Sequence, residues 1–140
     1  MITYVDTSSL LKLLVDEEGS DHVGWLWDTA EVVASVSLVV VEACAALAAA
    51  ERGARLTAAE HRRAKTELDV LVAELTIVGV TEDLVVQAAG LAHSEALRGY
   101  DAVHLAAALT VGADVLTSAD SALCAAAERC GLHVANPLDA

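Results

Sequence analysis

Short apolar runs alternate with longer stretches of helical periodicity along this chain, and that alternation restricts the fold more than any single motif does. Ile2–Val5, residues 32–35, residues 76–80, Val115–Thr117 and residues 132–134 are too short and too apolar for surface helices and read as strands. Between them, helical patterns cover residues 8–15, 21–29, 37–52, 57 to about 75, 81 to about 93, 100–111 and Ser121–Arg129. Thr57 and Glu60 have the T-x-x-E spacing of a capping box, and Thr81 stands where the next helix needs a cap. Gly53 and Gly112 follow the two Ala-rich helices, where a left-handed residue commonly ends a helix. Parallel strands need crossover connections, so strands alternating with helices predict a central parallel sheet covered by helices on both faces, an α/β/α sandwich. No repeat, low-complexity tract or linker interrupts the 140 residues, and the only proline is Pro137, which predicts a single domain over 1–140. With 56% apolar residues, 3% aromatic and no Phe, its core must be built from Ala, Val and Leu, which implies closely packed helices.

Four carboxylates occupy positions where acids are expensive. Asp6 closes the opening ITYVD, Glu42 lies inside VVVEACAAL, Asp101 inside GYDAVHLAAAL, and Asp120 ends ADVLTSAD. In open parallel sheets the working crevice lies beyond the carboxyl ends of the strands. Asp6 follows the first strand immediately and Asp120 follows the fourth by three residues, so both belong at that edge. Purely structural roles are open to three of the four. Asp6 could cap the first helix through the amides of Ser8 and Ser9, Asp120 could cap the last helix, and Asp101 suits the first turn of its own. Glu42 is the only charged residue between Val32 and Ala50, and a lone carboxylate is costly there unless paired, protonated or metal-bound. Four acids brought together would suit a hard divalent cation, Mg²⁺ or Mn²⁺. Two such ions roughly 4 Å apart clamp the attacking and leaving oxygens of a phosphodiester, which makes nucleic-acid hydrolysis the leading chemistry.

The net charge of −13 argues the other way, because phosphate binding ordinarily depends on Lys and Arg. Five of the eight basic residues, Arg52, Arg55, Arg62, Arg63 and Lys65, crowd one segment, either a solvated helical region or a local anchor for a polyanion. Cys44, Cys124 and Cys130 are odd in number and lack CxxC spacing, which fits reduced thiols in a cytoplasmic protein rather than a disulfide framework or zinc site. The start MITYVDTSS lacks the basic and apolar regions of a secretory signal. Residues 32–50 are the nearest approach to a membrane span, and Glu42 near their centre, at a cost of roughly 2.5 kcal/mol or more, excludes insertion.

Four segments, YVDTSSLLKLL, SLVVVEACAAL, YDAVHLAAAL and GADVLTSADSAL, together resemble the PIN domain, and within it the VapC-type ribonuclease toxins of bacterial toxin–antitoxin pairs. The resemblance spans essentially the whole chain and implies a PIN-like three-layer α/β/α sandwich. It also implies that Asp6, Glu42, Asp101 and Asp120 form an acidic Mg²⁺ site for endonucleolytic cleavage of RNA by metal-activated water, with Asp6 and Asp101 as direct ligands. Glu42 and Asp120 would complete the shell, partly through water, and Ser118 would supply a supporting hydroxyl. Lys12, Arg98 and the cluster from Arg52 to Lys65 would guide the rest of the RNA. The partners implied are a small antitoxin whose tail wraps the toxin and pushes an arginine or lysine into the acid pocket, and a second copy in a homodimer. His104, three residues after Asp101, is expected to pack beneath the site without a chemical role.

Rival functions fail on particular residues. A receiver domain would need a lysine late in the chain, and the only lysines are Lys12 and Lys65. A haloacid-dehalogenase-like phosphatase would need an acid where Ser8 stands. A catalytically silent PIN scaffold that binds RNA or protein is the remaining alternative, and the presence of all four acids argues against it.

Overall fold

The computed structural model describes residues 1–139. In chain order the elements are β1 (Ile2–Val5), α1 (Thr7–Leu14), α2 (Ser20–Thr29), β2 (Val32–Val36), α3 (Leu38–Arg52), α4 (Ala58–Glu74), β3 (Thr76–Val78), α5 (Glu82–Ser94), α6 (Gly99–Val111), β4 (Val115–Thr117), α7 (Ser121–Arg129) and β5 (His133–Ala135). The five strands form one all-parallel sheet in the order β3-β2-β1-β4-β5, so β1 is central, with β2 and β4 on either side. Tyr4 stands in register with Ala34 of β2 and with Leu116 of β4.

Successive residues of a strand face opposite sides of the sheet, and β1 accordingly feeds two cores. Tyr4 joins Ala34, Leu116, Leu105 and Leu123 under α5, α6 and α7, while Val5 joins Val33, Leu10, Leu47 and Leu68 under α1, α3 and α4. Ala102, Ala106, Ala107 and Ala108 of α6 are all buried. Their small side chains let this helix lie close against both the sheet and α5, as the aromatic-poor composition requires. The three-layer sandwich expected from the sequence is the fold observed.

Helix starts follow local chemistry. Thr57 and Glu60 form the full capping box, the Thr57 hydroxyl accepting from the Glu60 amide and the Glu60 carboxylate from the Thr57 amide. Thr81 caps α5 through the Leu84 amide. Gly112 closes α6 in the left-handed region at φ 71°. Gly53 departs from expectation: its φ is −85°, and Ala54 takes the left-handed position at φ 58° instead. The Arg55 amide reaches back to the Ala50 carbonyl at 2.8 Å, so the helix closes one residue later than the glycine suggests. Among the described residues no helix is long and apolar enough to cross a membrane.

Candidate active site at the carboxyl edge of the sheet

The carboxyl ends of β1 and β4 lie side by side, tied by the Asp6 amide donating to the Thr117 carbonyl at 3.2 Å. Here the connection from β1 runs out to β2 and that from β4 runs the opposite way to β5, the place where an open parallel sheet leaves a crevice. Asp6 and Ser118 are the first residues beyond those two strand ends.

Asp6 is 4% exposed and caps α1. Its Oδ1 accepts from the Ser9 amide at 3.0 Å and the Ser8 hydroxyl at 2.7 Å, and its Oδ2 accepts from the Ser118 hydroxyl at 2.6 Å. Burial pushes this carboxyl above the usual carboxylate range, outweighing the opposing pull of His104, Ser118, Ser9 and Ser8. Ser118 is fully buried and also accepts from the Asp120 amide at 3.0 Å, so one hydroxyl connects two of the acids. Asp120 caps α7, its Oδ1 accepting from the Leu123 amide at 2.9 Å. The capping roles open to Asp6 and Asp120 in the sequence are therefore filled, and they fix where both carboxylates sit.

Glu42 projects from α3 to the same edge. Its Oε1 accepts from the Thr7 hydroxyl at 2.8 Å and from His104 Nε2 at 2.8 Å. Burial pushes Glu42 up, but the hydrogen bond and charge of His104, together with Thr7, outweigh it and hold the carboxyl below its usual value. His104 is 3% exposed, and its Nδ1 lies 2.8 Å from the Tyr4 hydroxyl, which also accepts from the Val36 amide at 3.2 Å. Facing the Glu42 carboxylate, Nε2 carries a hydrogen, and Nδ1 and the Tyr4 hydroxyl share another between them. Burial holds the Tyr4 phenol well above its usual value and so keeps it a donor. His104 packs beneath the site as expected, but it also orients Glu42, a role the sequence did not reveal.

Asp101, in the first turn of α6, lines a cavity of about 610 Å³ together with Glu42, Arg98, Tyr100, Leu38 and Val103. Its Oδ2 accepts from both Nε and Nη2 of Arg98 at 3.2 Å, and the same Nη2 donates to Asp120 Oδ2 at 3.1 Å. Arg98 thus joins the carboxylates of Asp101 and Asp120, Ser118 joins the Asp6 carboxylate to the backbone amide of Asp120, and Glu42 is held by Thr7, the residue after Asp6.

The donor set is one of hard oxygens, four carboxylates with the Thr7, Ser8 and Ser118 hydroxyls beside them, which suits Mg²⁺ or Mn²⁺. A guanidinium already drawn between two of the acids marks where positive charge is favoured. Among the described residues no three acidic, histidine or cysteine side chains are arranged to hold an ion as they stand. Seating one there would require Arg98 to yield.

One basic residue falls elsewhere than the sequence suggested. Lys12 is only 7% exposed and pairs with Glu17 at 3.1 Å, because its face of α1 is buried, so it is not free to meet RNA. Thr7, Tyr4 and Arg98 were not singled out in the sequence as partners of the acids. The signal for Thr7 was its place in DTSS, and for Arg98 its position three residues before Asp101.

The family model described as PIN domain matches residues 3–129. Ribonuclease VapC45 of Mycobacterium tuberculosis strain CDC 1551 and Ribonuclease VapC49 of strain H37Rv are each 40% identical to the chain over 136 residues, covering 96% of it and 94% of their own length. Among solved structures, Mycobacterium tuberculosis VapC20, a toxin that cleaves the sarcin-ricin loop, superposes with a TM-score of 0.68 at 20% identity, over 93% of this chain and 95% of that one. A toxin–antitoxin complex from Klebsiella pneumoniae gives a TM-score of 0.67 at 15% identity, over 96% and 97% of the two chains.

Proposed function

Because the chain belongs to the PIN-domain family, in its VapC ribonuclease branch, we propose that it is an endoribonuclease toxin. In this reading RNA phosphodiester bonds are hydrolysed at the acidic edge with Mg²⁺ bound, Mn²⁺ being able to substitute. What supports it most is that Asp6 and Asp120 follow the carboxyl ends of β1 and β4 while Glu42 and Asp101 line an adjoining cavity of about 610 Å³, with Arg98 joining Asp101 to Asp120. Asp6 and Asp101 are the direct ligands, and Glu42 and Asp120 complete the shell.

A divalent ion bound there would neutralise phosphate charge and make a water molecule acidic enough to attack. The remaining work falls to the protein. Ser118 and Ser8 hold the Asp6 carboxylate in one orientation, and the α1 amide of Ser9 fixes it from below. Thr7 and His104 hold Glu42 ionised and aimed at the site, where it can orient the attacking water and accept its proton. Water adds to phosphorus and the bond to the leaving ribose oxygen breaks. Tyr100, 60% exposed at the cavity, offers a face on which a base can stack.

The antitoxin follows from charge as well as kinship. A surface with net −13 favours a basic partner, and one of the similar structures is a toxin–antitoxin complex. A homodimer is supported by exposed Val85 and Val86 on α5 and Leu109 on α6.

The test is cleavage of RNA with and without Mg²⁺ by the wild type, Asp101→Asn and Glu42→Gln. Activity should vanish with EDTA and fall at least about a hundredfold in both variants, the scale of a lost acid–base or charge-stabilising group. Equal cleavage by all three proteins, or cleavage surviving EDTA, would sink the metal-carboxylate mechanism.

A further inference from the structure

Arg98 stands apart from the other basic residues. Its side chain is 80% exposed, yet its guanidinium is drawn inward onto two of the four acids. One nitrogen, Nη2, serves both Asp101 and Asp120, and Nε adds a second bond to Asp101. The contact ties together the starts of two successive helices, α6 and α7, because Arg98 is the N-cap residue of the first and Asp120 of the second. Two carboxylates turned toward one another repel unless positive charge lies between them, and here the chain supplies that charge itself.

The exposure of Arg98 decides how firmly it does so. An ion pair open to solvent is weak, since water screens it and the long side chain loses freedom when held. A compact ion of twice the charge, seated among the same oxygens, is the stronger competitor. Among the described residues Arg98 is also the only basic one lining the cavity.

We propose that Arg98 is an exchangeable internal cation that competes with the divalent ion for Asp101 and Asp120, and so sets the concentration of free metal at which the site loads. This rests on the assignment of the four acids as the metal site. In the metal-free protein the guanidinium keeps α6 and α7 in register at the site; on loading it swings out over the cavity mouth, which its exposure leaves free to it.

Calorimetric titration of Mn²⁺ into the purified wild type, Arg98→Ala, Arg98→Lys and Arg129→Ala tests it without reference to activity. Arg129 pairs with Glu95 at 2.6 Å and is likewise exposed, so its removal matches the loss of one charge and one ion pair away from the site. Arg98→Ala should bind Mn²⁺ about fivefold more tightly, the upper range of what an exposed pair contributes. Arg98→Lys, with the charge but not the fork, should fall between, and Arg129→Ala should match the wild type. Unchanged or weaker binding by Arg98→Ala would overturn the competition while leaving the metal site standing, as would equal tightening by Arg129→Ala, which would mean a general charge effect. No binding by either the wild type or Arg98→Ala would overturn the metal site itself.

Discussion

Asp6 and Glu42 are carboxylates at the same edge of the sheet, yet their surroundings act on them in opposite directions. Burial raises Asp6, so the ionised form is disfavoured by folding; its favourable contribution is present below the ordinary carboxylate value and lost as pH rises through the raised one. Glu42 is lowered, so its contribution is present above the ordinary value and lost as pH falls through the lowered one. In EDTA at neutral pH, Asp6→Asn should therefore raise the melting temperature, Asn retaining the cap. Glu42→Gln should lower stability by about 1–2 kcal/mol, the scale of hydrogen bonds to a charged group. Thermal melts of the two variants check both signs, and a fall for Asp6→Asn would mean that the hydrogen bonds donated by Ser8 and Ser118 outweigh the cost of the buried charge. Tyr4→Phe removes a hydroxyl that meets both His104 and the Val36 amide, and should cost about 1–3 kcal/mol in urea unfolding. Strand ends brought Asp6 and Asp120 into view and a lone charge in an apolar helix brought Glu42, whereas Asp101, in the first turn of its helix, had only the company of the others and the family resemblance. The Tyr4–His104–Glu42 chain was not, since its members are brought together from three distant segments by tertiary packing alone.

Among the elements, every strand and helix was legible from period and cap, with boundaries displaced by one or two residues where capping rather than hydrophobicity decides the end. β3 stops at Val78 rather than residue 80, because the chain turns at Gly79 toward the Thr81 cap. The closure of α3 shows the limit more sharply, since a glycine marks the region of a helix end but not which residue turns left-handed. Ala54→Gly should relieve that conformation and stabilise the fold by up to about 1 kcal/mol, measured by denaturant unfolding. Thr57→Ala, which breaks the capping box of α4, should cost about 1 kcal/mol in the same measurement while leaving RNA cleavage intact.

Over the whole molecule, negative charge is concentrated by number and relieved locally. Of the cations nearest the site in sequence, Lys12 is spent on Glu17 and Arg98 on the acids themselves. Binding of a basic partner should accordingly weaken steeply as ionic strength rises, readable in surface-binding titrations at low and high salt. The surface that chooses a partner was legible only as net charge, because no sequence periodicity marks it. The site draws on β1, α3, α6 and the turn after β4, joined by the bond from Ser118 to Asp6 across 112 residues. During synthesis Asp6 therefore waits for its Ser118 partner until 112 further residues have been made, so this sheet edge is completed by long-range closure and not by local folding.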